Sequence, residues 1–132
     1  MPYINVKVAG RPLEPRDVEA LAAGVTGLME SVLGKRRALT SVLVEQAGAS
    51  GWSVGGRIAG AESARAHVEA SITAGTNTEA EKARFVAEAA ALLGRVLPGL
   101  PQATYVVVRE VPATDWGYDG RTQLSRRAAQ GA

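Results

Sequence analysis

At 132 residues the chain has the length of one domain with its own core, and 46% hydrophobic against 21% charged residues is a globular balance, not a disordered one. The absence of cysteine excludes a disulfide framework, a thiolate nucleophile and a cysteine zinc site, and a single histidine, His67, argues against a histidine-ligated metal, so neither metal nor cofactor is expected. A net charge of +2 with few aromatics gives no footprint for nucleic acid, and no apolar run reaches the roughly 18 residues of a membrane span, so the expectation is a soluble cytoplasmic protein.

The chain opens on Met1-Pro2-Tyr3-Ile4-Asn5-Val6-Lys7-Val8-Ala9-Gly10-Arg11. Proline is tolerated as the first residue of a strand, and "YINVKVA" alternates apolar and polar residues as a half-buried strand does. Removal of Met1 would also turn Pro2 into a terminal secondary amine, a base that no side chain supplies. From Glu14 the apolar positions Val18, Leu21, Ala22, Val25, Leu28, Met29, Val32 and Leu33 mark one stripe of a helix, with Pro15 in its first turn and Gly34 at its end. Lys35-Arg36-Arg37 follows and reads as a solvated charge run. Its glycine spacing, six residues from Gly27 to Gly34 with Arg36 after the lysine, does not make a phosphate loop. "TSVLVEQA" (40–47) returns as a second strand, and "GWSVGGRIAG" (51–60) is a glycine-rich hairpin or reversal.

The pattern then starts again. "VEASITAG" (68–75) is a strand, and a helix over Glu79 to Leu97 is built on Phe85, Ala89, Leu92, Leu93 and Val96, with Asn77 or Thr78 as its cap. "ATYVVVREV" and "DWGYDG" complete the second set, and residues 122–132 with Arg126 and Arg127 read as a polar tail. An offset of 65 aligns Gly10 with Gly75, Leu28 with Leu93 and Gly34 with Gly99, and an offset of 64 aligns Thr40 with Thr104, Trp52 with Trp116 and Gly56 with Gly120. These coincidences divide one domain into repeat units at about 2–63 and 66–121. The fold class expected is α+β: two pseudo-symmetric β-α-β units forming a four-stranded sheet with two helices on one face. The other face, expected to be apolar, would need burial in an oligomer.

A penultimate proline opening a β-α-β unit, Gly10-Arg11 after the first strand, Thr40-Ser41-Val42 opening the second and Trp52 before the Gly55-Gly56 turn together resemble the tautomerase superfamily. The nearest likeness is a tandem-fused 4-oxalocrotonate tautomerase, over roughly Pro2 to Gly120. The resemblance implies an isomerase without cofactor, in which Pro2 shuttles a proton between carbon and oxygen of a small enol or keto acid. It implies Arg11 as the cation holding the substrate carboxylate, Trp52 as the aromatic that dries the pocket, with Trp116 its repeat partner, and a homotrimer. Burial and nearby cations would lower the pKa of the amine toward the operating pH.

The chain also departs from that pattern. The arginine expected after "TSV" is Leu43, and its repeat counterpart is Val107. Tyr105 and Arg109, on the face of Val107, are candidates for the missing polar group, as is Arg57. At the 65 offset His67 stands where the first unit has Pro2, and reads as a strand-edge residue. "REVPATDWGYDGR" also resembles larger family members that hydrate or dehalogenate haloacrylates. Tyr118 replaces their water-activating carboxylate, Thr73 and Thr76 stand where they have arginines, and Asp115 and Asp119 are nearby. A hydratase, dehalogenase or decarboxylase, or a non-catalytic oligomeric binding module, are therefore the alternatives to a tautomerase.

Overall fold

The computed structural model describes residues 2–60 and 63–131; Met1, whose removal would free the Pro2 amine, lies outside the described residues. The first unit runs β1 (Tyr3–Ala9), α1 (Pro15–Ser31), β2 (Ser41–Gln46), then the short hairpin β3 (Ser53–Val54) and β4 (Arg57–Ile58). The second runs β5 (Arg65–Thr73), α2 (Glu79–Val96), β6 (Tyr105–Val111), then the hairpin β7 (Gly117–Tyr118) and β8 (Arg121–Thr122). The polar segment after it is helical, α3 (Gln123–Gly131).

One four-stranded sheet has the order β2-β1-β5-β6. Within each unit the strands are parallel, as a helical crossover requires, and the units meet through antiparallel β1 and β5. Ile4, Val6 and Val8 of β1 and Val68, Ala70 and Ile72 of β5 alternate onto one face, where Leu21, Val25, Met29, Phe85, Ala89 and Leu93 close over them in a single core. The α1 start is closed by Glu14, whose N–H donates to Asp17 Oδ2 at 3.0 Å, with Pro15 at the first position where no N–H is needed. Thr78 caps α2: its Oγ1 accepts from Glu81 N at 3.1 Å, and its own N–H donates to Glu81 Oε1 at 2.8 Å. Asn77 instead caps the other helix, donating through Nδ2 to Leu33 O at 3.0 Å. Gly10 ends β1 at φ 97 because a Cβ there would stand 1.6 Å from Ser63 O, so the chain entering the second unit can pass only over a glycine.

The register of the repeat differs from the expected one in its first half. Ile4, Val6 and Val8 match Val68, Ala70 and Ile72, and Leu21, Val25 and Met29 match Phe85, Ala89 and Leu93, all at an offset of 64. An offset of 65 would turn every β1 side chain to the wrong face. The glycine pairs Gly10/Gly75 and Gly34/Gly99 suggest 65 only because they sit in loops, where one residue of slippage costs little. His67 is therefore the counterpart of Tyr3, and Ala66 takes the place of Pro2. Nor is His67 at a strand edge: it lies inside β5, paired with Lys7 on one side and Tyr105 on the other.

The helix-free sheet face is not apolar, contrary to expectation. Across it run Ser41, Tyr3, Ser71 and Arg109, then Leu43, Asn5, Glu69 and Val107, then Glu45, Lys7, His67 and Tyr105. Alternation puts the apolar members of each strand under the helices and leaves this face largely polar. Arg109 bonds Glu69 at 3.0 Å, Asn5 Nδ2 donates to Glu45 at 2.9 Å, and His67 Nε2 stands 3.8 Å from Glu69.

Candidate active site

Pro2 is fully buried immediately before β1, a central strand, and its carbonyl accepts from Ser41 N at 3.2 Å. It lines a cavity of about 420 Å³ together with Tyr3, Leu39, Ser41 and Tyr118. Tyr118 comes from the second unit. Because β1 and β5 are antiparallel, the end of β5 lies beside the start of β1, with Tyr3 opposite Ser71. The β7–β8 hairpin is anchored to that end: Trp116 Nε1 donates to the buried Thr73 Oγ1 at 3.1 Å. Asp119 and Gly120, with φ 51 and 74, form its tight turn, matching Gly55 and Gly56 in the first unit.

Leu39 and Tyr118 also wall a second cavity of about 200 Å³, lined among the described residues by Lys35, Arg36, Arg126 and Arg127 and by no carboxylate. Lys35 is only 9% exposed, and its Nζ donates to Thr76 Oγ1 at 2.7 Å. Burial pushes its pKa below the usual lysine range, and the carboxylates of Glu81 and Glu110 partly counter that. Arg126, on α3, lies with its guanidinium carbon 3.8 Å from the centre of the Tyr118 ring and donates to Tyr118 O at 3.0 Å. Four basic side chains thus line the cavity that adjoins the one holding Pro2, which concentrates positive charge there.

Within one chain the expected site residues separate into two groups. Trp116 and Arg109 lie at the Pro2 end of the sheet, Trp116 through Thr73 and Arg109 in the row of Tyr3. Arg11 follows the far end of β1, more than about 20 Å from Pro2 at the usual rise per strand residue. Its guanidinium donates to Val96 O at 2.9 Å. Trp52 and Tyr105 share a cavity of about 260 Å³ with Ala66 and His67, the pseudo-symmetric counterpart of the Pro2 cavity. Arg57 is exposed on the β3–β4 hairpin. Neither Asp115 nor Asp119 lines the Pro2 cavity.

The cations Lys35, Arg36, Arg126 and Arg127, read from sequence as solvated, face this site instead. A signal for two of them was present in the repeat: at the 64 offset Lys35 and Arg36 correspond to Gly99 and Leu100. The other end of the scaffold carries no charge at these two positions, so the fold itself does not call for Lys35 and Arg36. Among the described residues no group of three or more His, Cys, Asp or Glu is arranged to hold a metal. Among them no helix is long and apolar enough to cross a membrane.

A sequence model of the Tautomerase enzyme family matches residues 2–62. The chain is 32% identical over 56 residues to a protein named Probable tautomerase K2 from Dickeya dadantii (strain 3937), across 42% of this chain and 84% of that one. A native fused 4-OT structure is 25% identical and superposes with a TM-score of 0.81 over 93% of this chain and 97% of its own. A fused 4-OT described as a symmetric trimer is 22% identical, with a TM-score of 0.83 over 94% and 98% of the two chains. At that identity the second match speaks for the fold.

Proposed function

Because the chain belongs to the tautomerase family, we propose that it is a cofactor-independent tautomerase of small enol and keto acids, with Pro2 as its acid and base. The observation that carries this reading is the placement of buried Pro2 on a cavity that adjoins four cations and, among the described residues, is lined by no carboxylate. Once Met1 is removed, the neutral secondary amine accepts the enol hydroxyl proton and returns a proton to the carbon chain, giving the keto acid with no net change in protons. Burial and the neighbouring cations both disfavour the charged amine and lower its pKa, which leaves it free to act as a base near neutral pH. The cations also attract the substrate carboxylate and stabilise negative charge on the developing enolate. A 2-hydroxydienoate or an enolpyruvate fits that description.

Arg11 and Trp52 belong to this reading only as contributions from another copy, because each lies at the far end of its own chain. We therefore include a homotrimer in the proposal, consistent with the trimeric assembly named for a similar fused 4-OT. The test is turnover of phenylenolpyruvate, 2-hydroxymuconate and haloacrylates by protein whose mass shows Met1 absent. Ketonisation of an enol without halide release is expected. Pro2→Ala should lower kcat by about a hundred-fold, the lower end for losing a positioned acid–base group, since a primary amine remains. Normal turnover by Pro2→Ala, or by protein that retains Met1 quantitatively, would overturn the assignment.

A further inference from the structure

Gln123 and Arg126 lie three residues apart on α3, so both side chains leave the same face of the helix, and both line the cationic cavity. Gln123 Nε2 and Arg126 Nε are each buried without a hydrogen-bond partner among the described residues. Buried donors are nearly always paired, because an unpaired one forfeits its hydration and gains nothing in return. Two residues that line one cavity, beside the Lys35 ammonium, thus each carry a donor without an acceptor among the described residues. Arg126 is not free to swing away to find one: its ring contact and its bond to Tyr118 O hold it in place.

We propose that this pair is a carboxylate-binding subsite, in which Gln123 Nε2–H and Arg126 Nε–H each donate to an oxygen of the substrate's own carboxylate. The inference rests on the Pro2 reading, because Leu39 and Tyr118 line both cavities and the subsite adjoins the one that holds Pro2. A planar carboxylate suits two neighbouring N–H donors and a point charge. The first unit has no counterpart to α3, since its chain passes from the β3–β4 hairpin into β5. The subsite therefore exists at the Pro2 end alone.

Binding is measured without turnover, using crotonate as an inert acid and methyl crotonate as its uncharged control. The signal is the heat of binding in titration calorimetry of the otherwise unaltered protein. Crotonate is expected to bind and the ester not to bind. Gln123→Leu, which removes donors without changing charge, should weaken crotonate about ten-fold, as should Arg126→Lys, which keeps the charge and loses the Nε–H. Circular dichroism checks that α3 persists in both variants. Unchanged affinity in Gln123→Leu, or an ester that binds as tightly as the acid, overturns the inference. Crotonate binding that depends on Gln123 in a protein that turns over no enol would uphold the subsite while sinking the tautomerase reading. Enol turnover with binding indifferent to both substitutions would do the reverse.

Discussion

Pro2 and Lys35 show how one residue's surroundings decide what it can do. Pro2 is unremarkable as a strand-opening proline, and the base proposed for it exists only if it is the chain terminus, buried beside Leu39 and Tyr118. Lys35 holds a charge where burial opposes it, with a threonine hydroxyl as its hydrogen-bond partner. Its folded pKa lies below the unfolded value of 10.5, so at neutral pH the charged form is kept at a cost to stability. That cost fades as pH rises from the lowered value toward 10.5, where both states become neutral. Glu81 and Glu110 face the ammonium and soften the effect without reversing it. Urea unfolding of the wild type and of Lys35→Met between pH 7 and 10.5 should therefore show the wild type gaining on the variant as pH increases. A difference that stays constant across that range would mean that Lys35 is not strained by its burial.

At the scale of the element, the caps do more than end helices. Thr78 and Glu81 close the first turn of α2 reciprocally, while the adjacent Asn77 reaches across to Leu33 O, just past the end of α1. The two helices are thereby tied at the end that carries Lys35 and Thr76. Thr78→Ala is expected to cost about 1 kcal/mol in urea unfolding, and Thr78→Ser to restore most of it, because the serine hydroxyl reaches the same N–H. An alanine variant as stable as the wild type would show that the cap is replaced by water at no cost. The two hairpins carry the other element-scale lesson. They share tight turns and tryptophans, yet antiparallel pairing of β1 with β5 delivers each hairpin to the opposite unit's strand start. Trp116 and Tyr118, not Trp52, therefore serve the Pro2 end of the same chain.

For the whole molecule, the proposed trimer cannot rest on an apolar sheet face, because that face carries Lys7, Glu45, His67, Glu69 and Arg109. What it offers instead is a mixed surface with Leu43 46% and Tyr105 67% exposed, together with the unpaired edges of β2 and β6. Such edges favour pairing with another copy, and a closed ring of three satisfies them all. Sedimentation equilibrium at micromolar concentration should give three times the chain mass. A stable monomer would refute the trimer and would leave Arg11 with no route to Pro2.

The alternation of "YINVKVA", the stripe from Val18 to Leu33 and the repeated tryptophans determined the elements, their order and the sheet with two helices on one face. These are local periodicities, and local sterics with burial suffice to fix them. The motifs around Pro2 likewise carried the family. What the sequence could not supply was adjacency across the repeat. The strand register was decided by which residues fit under the helices, and the loop glycines, free to slide by one position, pointed one residue away from it. The fate of Arg126 and Lys35 was decided by antiparallel pairing of the two units. It folds residues 91 positions apart in sequence onto one cavity, where charges that look solvated along the chain pack against Tyr118 and Thr76.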